Sequence, residues 1–146
     1  LITAGPTYEK IDPVRFIGNY SSGKMGYAIA EVLADMGAEV YLVSGPVNIA
    51  IDHPNVKLTK VESAIQMYDA CLLHFPLMDI AIMAAAVADY RPAEYSQIKV
   101  KKKEGNMVLN LVKNPDILST LGHSKTENQI VIGFALENHN EFETLA

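Results

Sequence analysis

Arg15-Phe16-Ile17-Gly18-Asn19-Tyr20-Ser21-Ser22-Gly23-Lys24-Met25-Gly26 joins a short apolar stretch, Leu1-Ile2-Thr3-Ala4, to an amphipathic run that begins at Gly23. A strand, a glycine-rich turn and a helix, in that order, open a parallel α/β sheet, and such sheets bind ligands at the carboxyl ends of their strands. The three glycines and two serines let the backbone bend and come close to a ligand. The helix that follows offers unpaired N–H groups and a positive dipole end, which suits phosphate. Two phosphate motifs nearly fit. Gly18-x-x-x-x-Gly23-Lys24 has the spacing of a P-loop, but Met25 stands where a Ser or Thr hydroxyl is needed for magnesium. The dinucleotide fingerprint needs Gly-x-Gly-x-x-Gly and an acidic residue closing the second strand. Here the glycines are Gly18, Gly23 and Gly26, and the second strand closes on Ser44-Gly45-Pro46. The stretch is a phosphate-binding turn of neither standard kind, or simply a tight turn ahead of a well-packed helix.

The rest of the chain extends the same architecture. The first helix runs from Gly23 to Met36, with Ser21 or Ser22 as its cap and Gly37 as its stop. Its apolar stripe is Met25, Ala28, Ile29, Val32, Leu33 and Met36. Gly26, early inside the helix, implies close approach to the first strand or to a ligand. Strands are expected over Glu39 to Ser44, Asn55 to Lys60, Asp79 to Ala86 and Gln129 to Phe134. Ser63-x-x-Gln66 is a capping box for a second helix whose buried face includes Cys71, and Pro76 ends it. A short third helix spans 117 to 122, with Asn114 as cap, Pro115 in the first position and Asp116 in the first turn. Three strand–helix alternations imply a doubly wound, mainly parallel, Rossmann-like α/β sheet. Residues 92 to 112 break the rhythm. Lys99 to Lys103 and Met107 to Val112 read as a β-hairpin around Glu104-Gly105-Asn106, with Lys99, Lys101 and Lys103 on one face. That face is either a solvated hairpin surface or a basic flap over a polyanion. Ala84 to Ala86 leave the sheet edge bare of side chains, and Asp89, Tyr90 and Arg91 follow on the same edge.

Composition narrows the class. With 146 residues and 49% hydrophobic content, the chain is expected to form a single domain with a real core. A net charge of −5 argues against a general nucleic-acid surface. The longest apolar run, Ile80 to Ala88, is too short to span a bilayer. No membrane association is expected, and one cysteine, Cys71, fits a reducing cytoplasm. The histidines at 53, 74, 123 and 139 show no metal-ligand spacing, and no Ser–His–acid set can be argued. Leu1 opens directly into a strand and the last residues begin another helix, so a C-terminally incomplete fragment of a longer chain is expected.

Several stretches together resemble the phosphopantothenate–cysteine ligase domain. They are Ile2 to Thr7, Asp12 to Ile17, Asn19 with Ser21 to Gly26, Ala85 to Arg91, Lys99-x-Lys101-Lys102, Lys113 to Ile117, and Gly133-Phe134, collinear from residue 2 to about 137. The resemblance implies a ligase acting in coenzyme A biosynthesis. The 4′-phosphopantothenate carboxylate attacks the α-phosphate of CTP, giving an acyl-cytidylate and pyrophosphate. The amine of cysteine then displaces CMP. In this reading Asn19 contacts the acyl-cytidylate, and Lys99 serves the second step and the nucleotide. Arg15 belongs to the phosphopantothenate side, with Ser21, Ser22, Gly23 and Lys24 holding phosphate oxygens. Met83, Ala84 and Ala85 receive the base by backbone hydrogen bonds, and Asp89 takes a ribose hydroxyl or a cation. Asn114, Pro115, Asp116, Ile117 and Phe134 complete the nucleotide site. Magnesium arrives with the triphosphate, and no residue is assigned as a metal ligand. The resemblance also implies a homodimer. It further implies a flavin-dependent decarboxylase half, with FMN, that lies outside this sequence. Gly18 departs from the family's serine before the asparagine. The family also continues beyond Ala146 with lysines that reach the nucleotide. The rival readings are an NAD(P)-linked oxidoreductase, disfavoured by the missing fingerprint and by Ser44, and a non-catalytic nucleotide-binding module.

Overall fold

The computed structural model describes residues 1–101 and 105–135. In chain order its elements are β1 (Ile2–Ala4), β2 (Tyr8–Lys10), β3 (Phe16–Gly18), α1 (Lys24–Asp35), β4 (Val40–Ser44) and β5 (Val56–Lys60). There follow α2 (Ala64–His74), a 3₁₀ turn (Phe75–Leu77), β6 (Ile80–Met83), β7 (Tyr90–Pro92), β8 (Leu111–Lys113), α3 (Ile117–Ser124) and β9 (Ile130–Gly133). Five parallel strands form one sheet in the order β5-β4-β1-β6-β9. β1 lies in the middle, with Ile2 opposite Leu42 on one side and Ile82 on the other. The chain winds outward one way through β4 and β5, then returns and winds the other way through β6 and β9. That reversal leaves a crevice between the carboxyl ends of β1 and β6. The expected doubly wound parallel sheet is therefore present.

Period-two alternation sorts the side chains into two cores. Ile2, Ala4, Leu42 and Ile82 pack under α1 with Tyr27, Ala30 and Ala34. Leu1, Val43, Ala81 and Met83 pack on the other face with Met67 and Cys71 of α2, Phe75 of the 3₁₀ turn, and Ile117 and Leu121 of α3. Both faces are covered, as parallel strands require. Cys71 is fully buried, and desolvation pushes its thiol up to about 12, so it is core filler and no nucleophile. The capping box forms as expected: Gln66 N–H donates to Ser63 Oγ, and the Gln66 side chain accepts from the Ser63 N–H.

Three local expectations are corrected. The buried face of α1 is Gly26, Tyr27, Ala30 and Ala34, while Met25, Val32 and Met36 are exposed. At Gly26 the helix lies so close to β1 that there is no room for a side chain. A Cβ on Gly26 would stand 2.6 Å from Ala4 Cβ and 2.9 Å from the Thr3 carbonyl oxygen. Gly26→Ala gains about 1 kcal/mol of helix propensity. Against that it forces rigid neighbours apart at a cost of up to about 3 kcal/mol. We expect a net loss of about 2 kcal/mol, read as a lower urea midpoint at unchanged m-value. Second, the hairpin is not Lys99 to Lys103 against Met107 to Val112. The antiparallel pair is β7 with β8, Tyr90 opposite Lys113 and Pro92 opposite Leu111. Lys99 and Lys101 lie in irregular backbone, and Lys102, Lys103 and Glu104 lie outside the described residues, as does the helix expected near Asn140. Third, β6 ends at Met83 rather than Ala86. Beyond it the chain leaves β9 and follows the loop after β1, with Ala86 N–H donating to Gly5 O at 2.9 Å.

Candidate functional site

At the carboxyl ends of β1 and β4 three pieces of backbone meet. Gly5 and Gly23 both have positive φ, and a Cβ on Gly23 would lie 3.3 Å from Gly5 Cα. A Cβ on Gly45 would lie 1.7 Å from the Pro6 carbonyl oxygen. Gly23 is the N-cap of α1, and no side chain caps the helix. Ser21 and Ser22 were expected in that role, but Ser21 Oγ instead accepts from the Gly23 N–H at 3.3 Å. A serine cap needs extended backbone at the cap residue, and this junction demands left-handed backbone there. The first turn of α1 therefore has amides without a side-chain acceptor, beside exposed Ser22 and Lys24. That is an anion-accepting geometry.

The crevice between β1 and β6 is a cleft of about 490 Å³. Met83, Ala85, Asp89, Asn114, Pro115, Asp116, Ile117 and Phe134 all line it, brought together from three separate stretches of the sequence. Ala84 and Lys99, grouped with them by the sequence, do not line it. Ala84 sits between two lining residues, and alternation along extended chain turns it away. Tyr90, expected on this edge, lines the cleft too, and Thr3, Val87, Ala88, Lys113 and Leu118, which were not anticipated, complete the wall. The quoted motifs contained most of them, but nothing in their chemistry marked them out.

One wall of the cleft is held by the continuation of β1. Ala85 N–H donates to Thr3 Oγ1 at 3.2 Å, and Ala88 N–H donates to Thr7 Oγ1 at 3.0 Å. The Ala85 amide is thus engaged within the protein. Asn114 fastens the two walls together. Its Nδ2 donates to Ala88 O at 2.7 Å, its Oδ1 accepts from Arg91 Nη1 at 2.9 Å, and its backbone N–H donates to Asp89 O at 2.8 Å. Committed there, it does not cap α3. Asp116 does, accepting from Ser119 N–H at 2.8 Å, so Pro115 precedes the helix.

Asn19 connects the turn to this wall. Its Nδ2 reaches Ala86 O at 3.3 Å and Val87 O at 3.4 Å, from an exposed position. Arg15 does not stand free. Its Nε and Nη2 donate to Asp12 Oδ2 at 3.1 and 2.5 Å, and Nη2 also donates to Val100 O at 2.8 Å. Asp12 is completely buried, and the Arg15 guanidinium holds its carboxyl well below the usual carboxylate range. In the sequence Asp12 stands only as the first residue of the stretch Asp12 to Ile17, with no role of its own. Lys99 is exposed. Arg15, Val100 and Lys101 line a second hollow, of about 810 Å³, beside the segment 92–110. Among the described residues no group of three or more His, Cys, Asp and Glu is placed to hold a metal ion. None of the described helices is long and apolar enough to cross a membrane.

Residues 1–146 match the family model of the DNA/pantothenate metabolism flavoprotein C-terminal domain. The chain belongs to this family. It is 50% identical over 139 residues to the coenzyme A biosynthesis bifunctional protein CoaBC of Haemophilus influenzae, covering 95% of this chain and 34% of that protein. It is 51% identical over 140 residues to a cysteine/cysteine sulfinic acid decarboxylase of an unknown prokaryotic organism, covering 96% of this chain and 39% of that one. The fold matches the crystal structure of the C-terminal domain of a CoaBC protein with a TM-score of 0.81 at 50% identity. That match covers 95% of this chain and 64% of the crystallised one. The chain therefore spans little more than a third of these curated relatives.

Proposed function

We propose that this family member carries the CTP-dependent phosphopantothenate–cysteine ligase step of coenzyme A biosynthesis. The supporting observation is the convergence of eight residues expected at the nucleotide on one cleft, at the reversal of strand order. In the proposal CTP enters with Mg²⁺ on its triphosphate, and its base and ribose occupy the cleft near Met83, Ala85, Asp89 and Phe134. The Ser21–Lys24 turn holds phosphate oxygens with backbone amides. Asn19, between turn and cleft, meets the acyl-cytidylate. Lys99 neutralises charge as the cysteine amine attacks the acyl carbon and CMP leaves. Such chemistry asks for positioning and charge stabilisation with little covalent work by the protein. A homodimer, a decarboxylase half elsewhere in the protein and a cytoplasmic setting belong to the same proposal.

The test is pyrophosphate release from CTP with 4′-phosphopantothenate present and cysteine withheld. We expect release that requires the acid, followed by CMP release when cysteine is added. CTP binding with no pyrophosphate under any combination would instead make the domain a non-catalytic nucleotide-binding module.

A further inference from the structure

Lys99 and Lys101 sit in backbone with no regular structure, yet something must set where they stand. Val100 lies between them. Its N–H donates to Asp12 Oδ2 at 3.0 Å, and its carbonyl accepts from Arg15 Nη2 at 2.8 Å. The N–H of Val100 belongs to the peptide plane shared with Lys99, and its carbonyl belongs to the plane shared with Lys101. Peptide groups are rigid, so bonding both planes orients the backbone on either side of Val100 and fixes the Cα atoms of both lysines. A second tie lies just upstream, where Ser96 N–H donates to Ile11 O at 3.1 Å. Among bonds between described residues, the backbone of 97–101 is joined to the rest of the protein by those of Val100 and, locally, by Ser96 Oγ donating to Ile98 O at 2.6 Å.

The Asp12 side of this contact is built. Its carboxylate has no exposed surface and accepts from Val14 N–H and Arg15 N–H at 2.9 Å each, from Arg15 Nε and Nη2, and from Val100 N–H. A carboxylate so deeply placed is tolerated only when paired and bonded in this way. The loop bonds from Val14 and Arg15 hold it still, so Val100 meets a fixed acceptor. Arg15 closes the bracket from the other side.

We infer that the Asp12–Arg15 pair is a latch that sets the position of Lys99 and Lys101 by gripping both peptide groups of Val100. Asp12 is thereby a positioning residue for the lysine segment, acting across a sequence distance of 88 residues. The consequence for catalysis rests on the proposed ligase reading; the latch itself does not. It also recasts Arg15, whose charge is matched by Asp12 and whose reach extends to the Val100 carbonyl between the lysines.

The test is limited trypsin digestion of the full chain under native conditions, with cleavage after Lys99 and Lys101 followed by mass spectrometry. Two variants are used. Asp12→Asn removes the charge and sets an amide among donors. Val100→Pro removes the N–H and fixes φ at this position while the Asp12–Arg15 pair stays in place; it is read after Lys101 alone, because trypsin does not cleave a Lys–Pro bond. Breaking charge-assisted bonds of this kind is expected to speed cleavage in the segment about tenfold, with cleavage at Lys57 and Lys60 in the sheet unchanged. If Asp12→Asn fails to fold, Val100→Pro decides. Wild-type cleavage rates in folded variants overturn the latch. In the ligase assay, Asp12→Asn is expected to form amide about tenfold more slowly while releasing pyrophosphate, so acyl-nucleotide accumulates, an outcome that general loosening of the fold does not produce. Equal slowing of both steps overturns the positioning role. Absence of ligase activity in the unmodified protein removes the functional reading and leaves the digestion result standing.

Discussion

Lys99→Gln is expected to lower turnover about a hundredfold and to halt the reaction after the acyl-cytidylate has formed. When the cysteine amine attacks the mixed anhydride, negative charge grows on the acyl oxygen and on the departing CMP phosphate. A nearby ammonium stabilises that charge more than it stabilises the neutral amine and anhydride, so its loss appears in the rate of this step. Glutamine keeps the reach and a dipole but loses the charge. Lys99 is exposed and, among the described residues, has no acidic partner. Its removal should therefore leave stability within about 0.5 kcal/mol. Mass spectrometry of a quenched reaction checks the result: acyl-cytidylate should accumulate while pyrophosphate is still released. Amide formation at the wild-type rate would refute the role.

Asn19→Asp is expected to reduce turnover about a hundredfold with the melting temperature nearly unchanged. Asn19 offers an N–H₂ to the carbonyls of Ala86 and Val87, of which Val87 lines the cleft between β1 and β6. Aspartate has no donor, and its carboxylate would face two carbonyl oxygens. The loop must then turn the side chain away, and the new negative charge would oppose an anionic acyl-nucleotide nearby. The fold survives because the residue is exposed and its two bonds are long. Single-turnover kinetics provide the check. Unchanged rates for both half-reactions, with unchanged binding of acid and nucleotide, would remove Asn19 from the site.

Much of this architecture was legible because periodicity is a local signal. The apolar strands, the capping box at Ser63 and the stop at Gly37 all depend on residues within a few positions of one another. Gly37 has positive φ, its N–H donates to Ala34 O, and Ala38 N–H donates to Leu33 O. What failed depended on distant partners. The stripe on α1 was misassigned because large apolar residues were counted, whereas contact with β1 selects small ones. The lysine hairpin was misassigned because alternation was read without Tyr90–Pro92, which claims Leu111–Lys113 as its partner. The pair β2–β3, with Tyr8 and Phe16 stacked at 3.9 Å, was passed over as loop because each strand has three residues. Of the two cap-forming side chains before α3, Asn114 is drawn off by Ala88 and Arg91, which leaves Asp116 at the helix. Asp12 was invisible as a functional residue because its significance depends on Val100.

The central strand carries a consequence for biosynthesis. Ile2 pairs with Leu42 and with Ile82, so its second neighbour is made 80 residues after it. At translation rates of about 5–20 residues per second, that interval is roughly 4–16 s. Throughout it, one side of an entirely buried, apolar strand has no hydrogen-bonding partner. The domain cannot close its sheet by growing from one end; it must wait for its fourth parallel strand before its first is complete. Nascent chains of this protein should therefore depend on chaperones most while residues 45–80 are emerging, the period when β1 is half paired and most open to association with another chain.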